Sequence, residues 1–464
     1  MSDAGKAPLA AVYGDALAMI GDTPMLEFKT LDSGPCRLFG KLEFYSPGGS
    51  IKDRIAMTMV EGAEREGRIK PGGTLVEATS GNTGVGLALV AALKGYRMVI
   101  VIPDKMSQEK IQHLRAFGAE VIVTRSDVPP EHPENYQTMA RRIAEETDNA
   151  IYFFQHGNMH NPRAHEENTG PEIWAQMDHD LDAIVLGVGT GGTLTGLGRY
   201  FRRTQPDLDI VLADPEGSIL VDYLETGKLV EAGAWLVEGI GEDDLPPIGD
   251  LSLIDAAYRV SDAESFEVAR DLVRKEGVLG GSSTGTLVAA ALRYCREQTT
   301  PKRVVVIIPD VGDKYLSKMY NDYWMLDQGF IARPQEGNLC DLIARHHEDQ
   351  EDFTVTPDDT LLIAYGRMKL YNVSQLPIFE DGAIVGIIDE MDLLHAVYDG
   401  DAQFTRPVRD AMSTRLKTLQ CGAALEDLAA LLRAGYVALI FQGETYRGLV
   451  TRIDLLNYLR RRAR

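Results

Sequence analysis

The stretch Ser46-Pro-Gly-Gly-Ser-Ile-Lys-Asp-Arg54 places a lysine directly after a flexible glycine turn. The residues that follow, IKDRIAMTMVEGAERE, have the spacing of a helix, and we expect that helix to end at Gly67. Lys52 would then lie in the first turn, where the positive end of the helix dipole disfavours protonation of its amine. A Schiff base requires such a neutral amine. The motif alone does not exclude an ordinary solvated lysine.

An α/β pattern surrounds this motif. Short apolar runs alternate with stretches of helical period in TLVEA, GVGLALVAALK, RMVIVI, SQEKIQHLRAF and EVIVT, which together span residues 74–124. The pattern resumes in DAIVLGV, residues 187–198, DIVLADP and VVVIIPD. Successive βα units of this kind predict a parallel sheet covered by helices on both faces, a three-layer αβα arrangement. We therefore expect residues 1–330 to form one catalytic domain of two lobes.

Three glycine-rich turns each join a predicted strand to a predicted helix. They are Thr79-Ser-Gly-Asn-Thr-Gly84, Gly187-Val-Gly-Thr-Gly-Gly-Thr-Leu-Thr-Gly196 and Gly280-Gly-Ser-Ser-Thr-Gly285. Free backbone N–H groups and hydroxyls at such places bind small anions, although simple helix capping remains an alternative for each turn. The second turn also fits the dinucleotide fingerprint through Gly187, Gly189 and Gly192, with Asp214 as the ribose acid. This turn alone does not distinguish a site for a nicotinamide cofactor from a site for a single terminal phosphate.

The C-terminal part repeats itself. Residues 386–394 (GIIDEMDLL) and residues 448–456 (GLVTRIDLL) share one frame, and each follows a strand-like run and a turn. A repeat of this length indicates tandem copies of one supersecondary unit. We expect a linker at residues 331–345, a first copy at residues 346–400 and a second copy at residues 406–464.

Composition limits the classes of function. The chain has 464 residues and a formal net charge of -22, which opposes nucleic-acid and membrane binding and favours small-molecule substrates. Residues 1–11 lack a signal-peptide pattern, and we expect a cytoplasmic location. Cys36, Cys295, Cys340 and Cys421 lie far apart without metal-ligand spacing, so reduced thiols and no metal site are expected.

The four ordered motifs SPGGSIKDR, EATSGNTGVGLA, GVGTGGTLTG and GGSSTG resemble those of fold-type II pyridoxal-phosphate (PLP) enzymes of the cysteine synthase and cystathionine β-synthase branch. The C-terminal repeats resemble a pair of CBS domains, a Bateman module, which points to the second member of that branch. The stretches Lys105–Lys110, Asp214–Leu220 and Tyr315–Trp324 point the same way. The implied reaction is a β-replacement that condenses L-serine with L-homocysteine to L-cystathionine and water, a lyase step of transsulfuration and cysteine biosynthesis. Production of H2S would be a side activity.

The resemblance implies a role for each matching residue. Lys52 would form the Schiff base with PLP and serve as the catalytic residue. The other cofactor contacts would come from Asn82 at the 3′-oxygen, from Ser282 at the pyridine nitrogen, and from the phosphate-binding residues Gly189, Thr190, Gly191, Gly192 and Thr193. The substrate would be held by Thr79, Ser80, Thr83, Gln155 and Gly239.

The chain also departs from the pattern of its family. About twenty residues precede Gly21, where the animal enzymes carry a haem-binding segment, so haem is not expected. His156 stands where the animal enzymes have a tyrosine. In the second repeat Thr451 and Asp454 match the pattern that holds an adenosyl ligand, whereas the first repeat has Asp389 at the hydroxyl position.

Three alternatives remain open from the sequence. One is an energy-sensing, adenosyl-binding module with a decayed catalytic domain, although the intact motif residues argue against it. A cysteine synthase would use O-acetylserine and sulfide at the same site, and a NAD-dependent dehydrogenase would use Gly187, Gly189, Gly192 and Asp214. The dehydrogenase leaves the other two glycine-rich turns without a role. The resemblance also suggests a homodimer or a larger homo-oligomer.

Overall fold

A computed structural model describes residues 12–79, 81–104, 108–129, 131–332, 335–348, 353–398 and 401–462. The chain divides into two compact units at Tyr320 and Asn321. In chain order the strands are β1 (Met25–Phe28), β2 (Arg37–Leu42), β3 (Thr74–Ala78), β4 (Arg97–Pro103), β5 (Glu120–Thr124), β6 (Ala150–Tyr152), β7 (Ala183–Gly187), β8 (Asp209–Pro215), β9 (Ala256–Val260), β10 (Arg303–Ile308), β11 (Gln375–Glu380), β12 (Ala383–Asp389), β13 (Thr418–Gln420), β14 (Ala438–Gln442) and β15 (Thr445–Val450).

The helices lie between these strands. They are α1 (Lys52–Arg65), α2 (Asn82–Lys94), α3 (Gln108–Ala116), α4 (Tyr136–Glu146), α5 (His160–Ala164), α6 (Gly170–Gln176), α7 (Gly192–Thr204), α8 (Leu220–Thr226), α9 (Asp262–Glu276), α10 (Ser282–Arg296), α11 (Asp322–Gln328), α12 (Leu361–Tyr371), α13 (Glu390–Val397), α14 (Leu425–Arg433) and α15 (Arg452–Arg462). A π-helical turn, His165–Thr169, joins α5 directly to α6. No helix in the described ranges is both long and apolar enough to cross a bilayer.

Two sheets build the first unit. The small lobe contains a parallel four-stranded sheet in the order β5-β4-β3-β6, and α1 and α2 pack against one face while α4 covers the other. The large lobe contains a six-stranded sheet in the order β1-β2-β10-β7-β8-β9, in which only the edge strand β1 runs antiparallel. Helices α9 and α10 pack on one face of this sheet, and α6, α7 and α8 pack on the other. The predicted two-lobed α/β architecture is confirmed.

A buried ion-pair network anchors the beginning of α1. Arg54 donates to Glu43 Oε2 at 2.6 Å, and it forms an ion pair with Glu172 at 2.7 Å. Lys41 is fully buried, and its Nζ donates to Glu172 Oε1 and to the Thr23 carbonyl at 2.8 and 2.6 Å. The network therefore ties the turn of helix that carries Lys52 to β2 and to α6.

The second unit contains the two expected repeats. In the first repeat β11 pairs antiparallel with β12, and the register shifts between Ile378 and Phe379. In the second repeat β14 pairs with β15, and the register shifts between Ile440 and Phe441. The two bulges fall at equivalent places, so the internal repeat in the sequence corresponds to two copies of one structural unit.

The expectation of four reduced thiols does not hold for one pair. Cys340 and Cys421 form a disulfide across a sequence separation of 81 residues, while Cys36 and Cys295 are free and buried. The N–H of Leu339 donates to the Cys421 carbonyl at 2.9 Å, which brings the two segments together. Sequence spacing could not show a pairing that depends on this tertiary contact.

We expect Arg54→Met to lower the free energy of unfolding by about 3–5 kcal/mol, because it leaves the buried carboxylates of Glu43 and Glu172 without their shared cation. Chemical denaturation measures the change. Arg97→Met is the matched control, since it breaks an exposed pair with Glu120 and should cost less than about 1 kcal/mol. Equal losses in the two variants would contradict a special role for the buried network.

Candidate active site

A cavity of about 930 Å³ lies between the two lobes of the first unit. The residues that line it include Lys52, Thr79, Asn82, Gln155, Gly189 and Gly239. A smaller cavity of about 50 Å³ shares Lys52 and Asn82 and continues along the loop from Gly187 to Thr193. Strands β3, β7 and β10 all end at this place, where ligands of parallel sheets bind.

Lys52 is the first residue of α1, as the sequence indicates, and it lines both cavities. Burial lowers the pKa of its ammonium, while the nearby carboxyl groups of Asp310 and Glu242 oppose that shift. The sequence suggested the helix dipole as the cause, but removal from water is the largest effect in the structure. Both lead to an amine that loses its proton more readily than an exposed lysine does.

Asn82 begins α2, and both ends of its amide are held. Its Nδ2 donates to Asp310 Oδ2 at 2.9 Å, and Lys314 Nζ donates to its Oδ1 at 2.6 Å. Asp310 also accepts from the Tyr315 hydroxyl at 2.9 Å. These contacts fix which end of the amide faces which neighbour, since only the nitrogen can donate and only the oxygen can accept.

The first glycine-rich turn meets Gln155 across the cavity. Thr83 donates its hydroxyl proton to Gln155 Oε1 at 2.6 Å, and the hydroxyl of Thr79 accepts from the Gly81 N–H at 3.3 Å. Thr79, Thr83 and Gln155 are all buried. Ser80, which the sequence also predicts here, lies outside the described residues.

The second glycine-rich turn forms a cradle at the beginning of α7, made of Gly189, Thr190, Gly191, Gly192 and Thr193. Gly191 has a φ of +86°, and a Cβ there would lie 2.4 Å from the Gly249 Cα. A Cβ on Gly189 would lie 2.7 Å from the Gly239 carbonyl oxygen. Only glycine allows these close approaches, and the cradle lies at the beginning of a 13-residue helix, a position whose free N–H groups attract anions.

Ser282 begins α10, and its side chain is buried. Its Oγ accepts from the Glu238 N–H at 2.9 Å. Glu238 lines both cavities, as does Gly239, which has a φ of +88°. Ser283 rather than Ser282 lines the smaller cavity, so the structure places the predicted partner of the pyridine nitrogen just behind the cavity wall.

Several groups in the cavity were not foreseen from the sequence. Glu238 forms ion pairs with Lys110 and Lys318. Burial and the repulsion of Asp243, Asp214 and Asp244 raise the pKa of Glu242 to about 8. No motif marks Glu238 or Glu242, because both lie in the long segment between α8 and β9, which only the fold brings to the cavity.

His156 also lines the cavity. Burial and the nearby ammonium of Lys52 lower the pKa of its imidazole. A neutral imidazole is therefore favoured at this position. His156, at which we expected a departure from the family pattern, thus forms part of the cavity wall.

The comparisons with known proteins agree with this geometry. Residues 17–310 match the family model described as pyridoxal-phosphate dependent enzyme, and residues 349–399 and 408–461 match the CBS domain. Cystathionine β-synthase of Oryctolagus cuniculus is 36% identical over 470 residues, which cover 97% of this chain and 85% of the relative. This chain belongs to the cystathionine β-synthase family. The Saccharomyces cerevisiae member of the family is 34% identical and covers 96% of this chain and 97% of its own length.

The first unit also resembles other members of the PLP-enzyme family. Cysteine synthase 1 of Emericella nidulans is 42% identical over 318 residues, which cover 67% of this chain and 85% of that protein. A solved hydrogen sulfide-producing enzyme from Fusobacterium nucleatum is 35% identical with a TM-score of 0.61, and the match covers 66% of this chain and 100% of that one. The solved O-ureido-L-serine synthase is 31% identical with a TM-score of 0.63, over 70% and 98% of the two chains.

The dinucleotide alternative receives no support from the position of Asp214. This residue is fully buried, and its Oδ2 accepts from the Val221 N–H at 3.3 Å. It lines neither of the two cavities, so it is not placed to hold a ribose. The position of Asp214 therefore opposes a nicotinamide site at the second glycine-rich turn, in agreement with the match to the PLP-enzyme family.

In the CBS repeats the predicted adenosyl residues occupy helix beginnings. Thr451 donates its hydroxyl and N–H to Asp454 Oδ2 at 2.6 and 2.7 Å, so the two residues form one hydrogen-bonded unit. Asp389, at the equivalent position of the first repeat, caps α13 by accepting from the Asp392 N–H at 2.8 Å. Two carboxylates at that cap disfavour an anionic ligand in the first repeat.

Glu77 is a buried acid beneath the first glycine-rich turn. It lies on β3, and burial raises the pKa of its carboxyl to about 8, against the opposing effect of the backbone N–H groups of Gln155, Ala78 and Phe154. The folded chain thus holds a proton that the unfolded chain releases near the ordinary value of 4.5. Its contribution to stability is present below that value and is lost as the pH rises toward 8.

We expect Glu77→Gln to weaken this dependence on pH, because glutamine has no proton to lose. As the pH rises from about 5 to 8, the free energy of unfolding of the original chain should fall relative to that of the variant by about 1.4 kcal/mol per pH unit. Chemical denaturation at a series of pH values measures this difference. Glu145→Gln, at an exposed position, should keep the original profile. Parallel profiles for Glu77→Gln and the original chain would contradict the assignment.

Proposed function

We propose that this chain condenses L-serine with L-homocysteine to L-cystathionine and water. The observation that carries the proposal is the partly buried amine of Lys52, which lines both cavities together with residues of the Thr79–Gly84 turn and of the glycine cradle. The relatives named cystathionine β-synthase support it because they match both the catalytic unit and the CBS pair, over 97% of the chain in the rabbit case.

The residues present fit PLP. Gly189, Gly191 and Gly192 let the cradle pack closely against the neighbouring segments, because a Cβ on each would clash with them, and α7 adds its N-terminal N–H groups as donors for an anion. The hydroxyls of Thr190 and Thr193 would donate to the same phosphate. When bound, PLP supplies an electron sink for the bonds at the substrate Cα.

Three further residues would hold the rest of the cofactor. Lys52 would attach to its aldehyde carbon, and the Nδ2 of Asn82 would donate to the 3′-oxygen with the hydrogen that Asp310 does not take. The hydroxyl of Ser282 would meet the ring nitrogen. A neutral hydroxyl does not stabilise a protonated ring as a carboxylate would, which discourages racemisation and transamination.

The substrate carboxylate would be bound by Thr79, Ser80, Thr83 and Gln155, with Gly239 on the opposite wall of the cavity. Hydroxyl and backbone donors suit an anion, and charge strengthens such hydrogen bonds. Lys52, beside the substrate site, would be the general base that takes the Cα proton. Lys52 would pass that proton to the departing serine hydroxyl, which leaves as water. The sulfur of homocysteine would form the new bond to Cβ, and the thiol proton would return through Lys52 to Cα.

The proposed function includes a regulatory role for the second unit. We propose that the second CBS repeat binds an adenosyl ligand at Thr451 and Asp454, while Asp389 disfavours binding in the first repeat. A homodimer or a larger homo-oligomer in the cytoplasm remains part of the same proposal, and so do the domain limits expected at residues 330, 345, 400 and 406.

Cysteine synthase activity is the second candidate. The specific support is the 42% identity of the first unit to cysteine synthase 1 of Emericella nidulans. That relative matches 67% of this chain. The two candidates share the cofactor, the lysine and the carboxylate site, and they differ only in leaving group and thiol.

Steady-state kinetics of the purified enzyme distinguish the two reactions. We expect kcat/KM for serine with homocysteine to exceed that for O-acetylserine with sulfide by at least about tenfold, with cystathionine identified by its mass. Lys52→Ala is the control and should abolish both reactions. A preference for O-acetylserine and sulfide would overturn the proposal in favour of cysteine synthase.

A further inference from the structure

Three polar side chains lie buried in a row behind the glycine cradle. Asn161, His165 and Thr169 are spaced four residues apart on the continuous helical segment formed by α5 and the π-helical turn. Their side chains are at most 1% exposed. Burial of a polar group lowers stability unless the group is hydrogen-bonded, so each of these three side chains needs a hydrogen-bond partner.

Asn161 contacts the first hydroxyl of the cradle. Its Nδ2 donates to Thr190 Oγ1 at 2.9 Å and to the Gln155 carbonyl at 3.0 Å. An amide nitrogen can only donate, and the carbonyl can only accept, so the direction of both bonds is fixed. Thr190 therefore receives a hydrogen bond from behind and keeps its own proton for a group in the cavity.

His165 contacts the second hydroxyl of the cradle. Its Nε2 lies 3.3 Å from Thr193 Oγ1, and its Nδ1 lies 3.0 Å from Thr169 Oγ1. Burial and the nearby cations Lys52 and Arg54 hold the pKa of this imidazole well below its ordinary value. The ring is therefore neutral and carries one proton, which is on either Nδ1 or Nε2.

The hydroxyl of Thr169 decides which nitrogen carries that proton. Within the described ranges, His165 is the one hydrogen-bond partner of this fully buried hydroxyl. If Nδ1 carried the proton, the Thr169 hydroxyl would accept and its own proton would be buried without an acceptor. Thr169 therefore donates to Nδ1, and Nε2–H donates to Thr193.

We propose that Asn161, His165 and Thr169 form a backing layer that orients the Thr190 and Thr193 hydroxyls as donors toward a phosphate. The layer rests on the proposed function, because it needs PLP phosphate in the cradle. Two hydrogen-bond paths result, one from Asn161 to Thr190 and one from Thr169 through His165 to Thr193. The three are positioning residues, since none of them reaches the cavity.

The glycines of α7 support the same arrangement. A Cβ on Gly192 would lie 1.9 Å from Asn161 Oδ1, and a Cβ on Gly196 would lie 2.2 Å from the Pro162 carbonyl oxygen and 2.6 Å from the His165 Cβ. Glycine at both positions lets α7 approach the segment that carries the backing layer. The glycine-rich sequence thus serves the layer behind the cradle as well as the anion in front of it.

Thr169→Val tests the layer, because it keeps the shape of the side chain and removes the donor to His165. We expect PLP to leave the variant holoenzyme about tenfold faster than it leaves the original, and the ³¹P resonance of the bound phosphate to shift. Thr169→Ser should restore both values. Thr286→Val is the matched control, since it removes a buried hydroxyl that bonds Ser265 at 2.8 Å and lines neither cavity. It should leave PLP release and the ³¹P resonance unchanged.

A second measurement uses the original holoenzyme and does not depend on the folding of Thr169→Val. Nitrogen-15 NMR of histidine-labelled protein reports the tautomer of His165, with the signal assigned by its absence in His165→Gln. We expect the proton on Nε2.

A proton on Nδ1, or equal PLP release from Thr169→Val and Thr286→Val, would overturn the backing layer. Original protein that binds no PLP would instead refute the proposed function, so the two failures are distinguishable.

Discussion

The partial burial of one lysine amine is the constraint on which the catalytic unit depends. Lys52 lies at the beginning of α1 with its side chain between two lobes, and burial lowers the pKa of its ammonium. The carboxyl groups of Asp310 and Glu242 act in the opposite direction, but burial also raises the pKa of each of them. Asp310 is fully buried, and Lys52 and Glu242 are partly buried. Burial favours the neutral form of each group, and covalent attachment to an aldehyde needs the neutral amine.

The surrounding structure holds that amine against the cofactor and substrate sites. The ion pairs of Arg54 with Glu43 and Glu172 fix the helix that begins at Lys52. Strands of both lobes end at the same cavity, so the Thr79–Gly84 turn and the glycine cradle face each other across it. The fold, the ion pairs of Arg54 and the shape of the cavity together position the amine of Lys52.

The sequence predicted the parts of the site that lie in local motifs. Strands β3, β5 and β8 have the predicted bounds, and Lys52 begins its helix as expected, because hydrophobic period and glycine position are local signals. Asp310, Lys314 and Glu77 were missed, since their importance depends on contacts between distant segments. The disulfide of Cys340 with Cys421 was missed for the same reason. The dinucleotide fingerprint suggests a ribose contact for Asp214 that the structure does not support, because the spacing of glycines does not show where a carboxylate points.

The most direct test of the account is to locate the covalent attachment of the cofactor. Reduction of the purified holoenzyme with borohydride, followed by proteolysis and mass spectrometry, identifies the residue that carries the pyridoxyl group. We predict that this group is on the Nζ of Lys52, in the peptide that contains Ser50 to Arg54. A pyridoxyl group on Lys314 or another lysine, or on none, would contradict it.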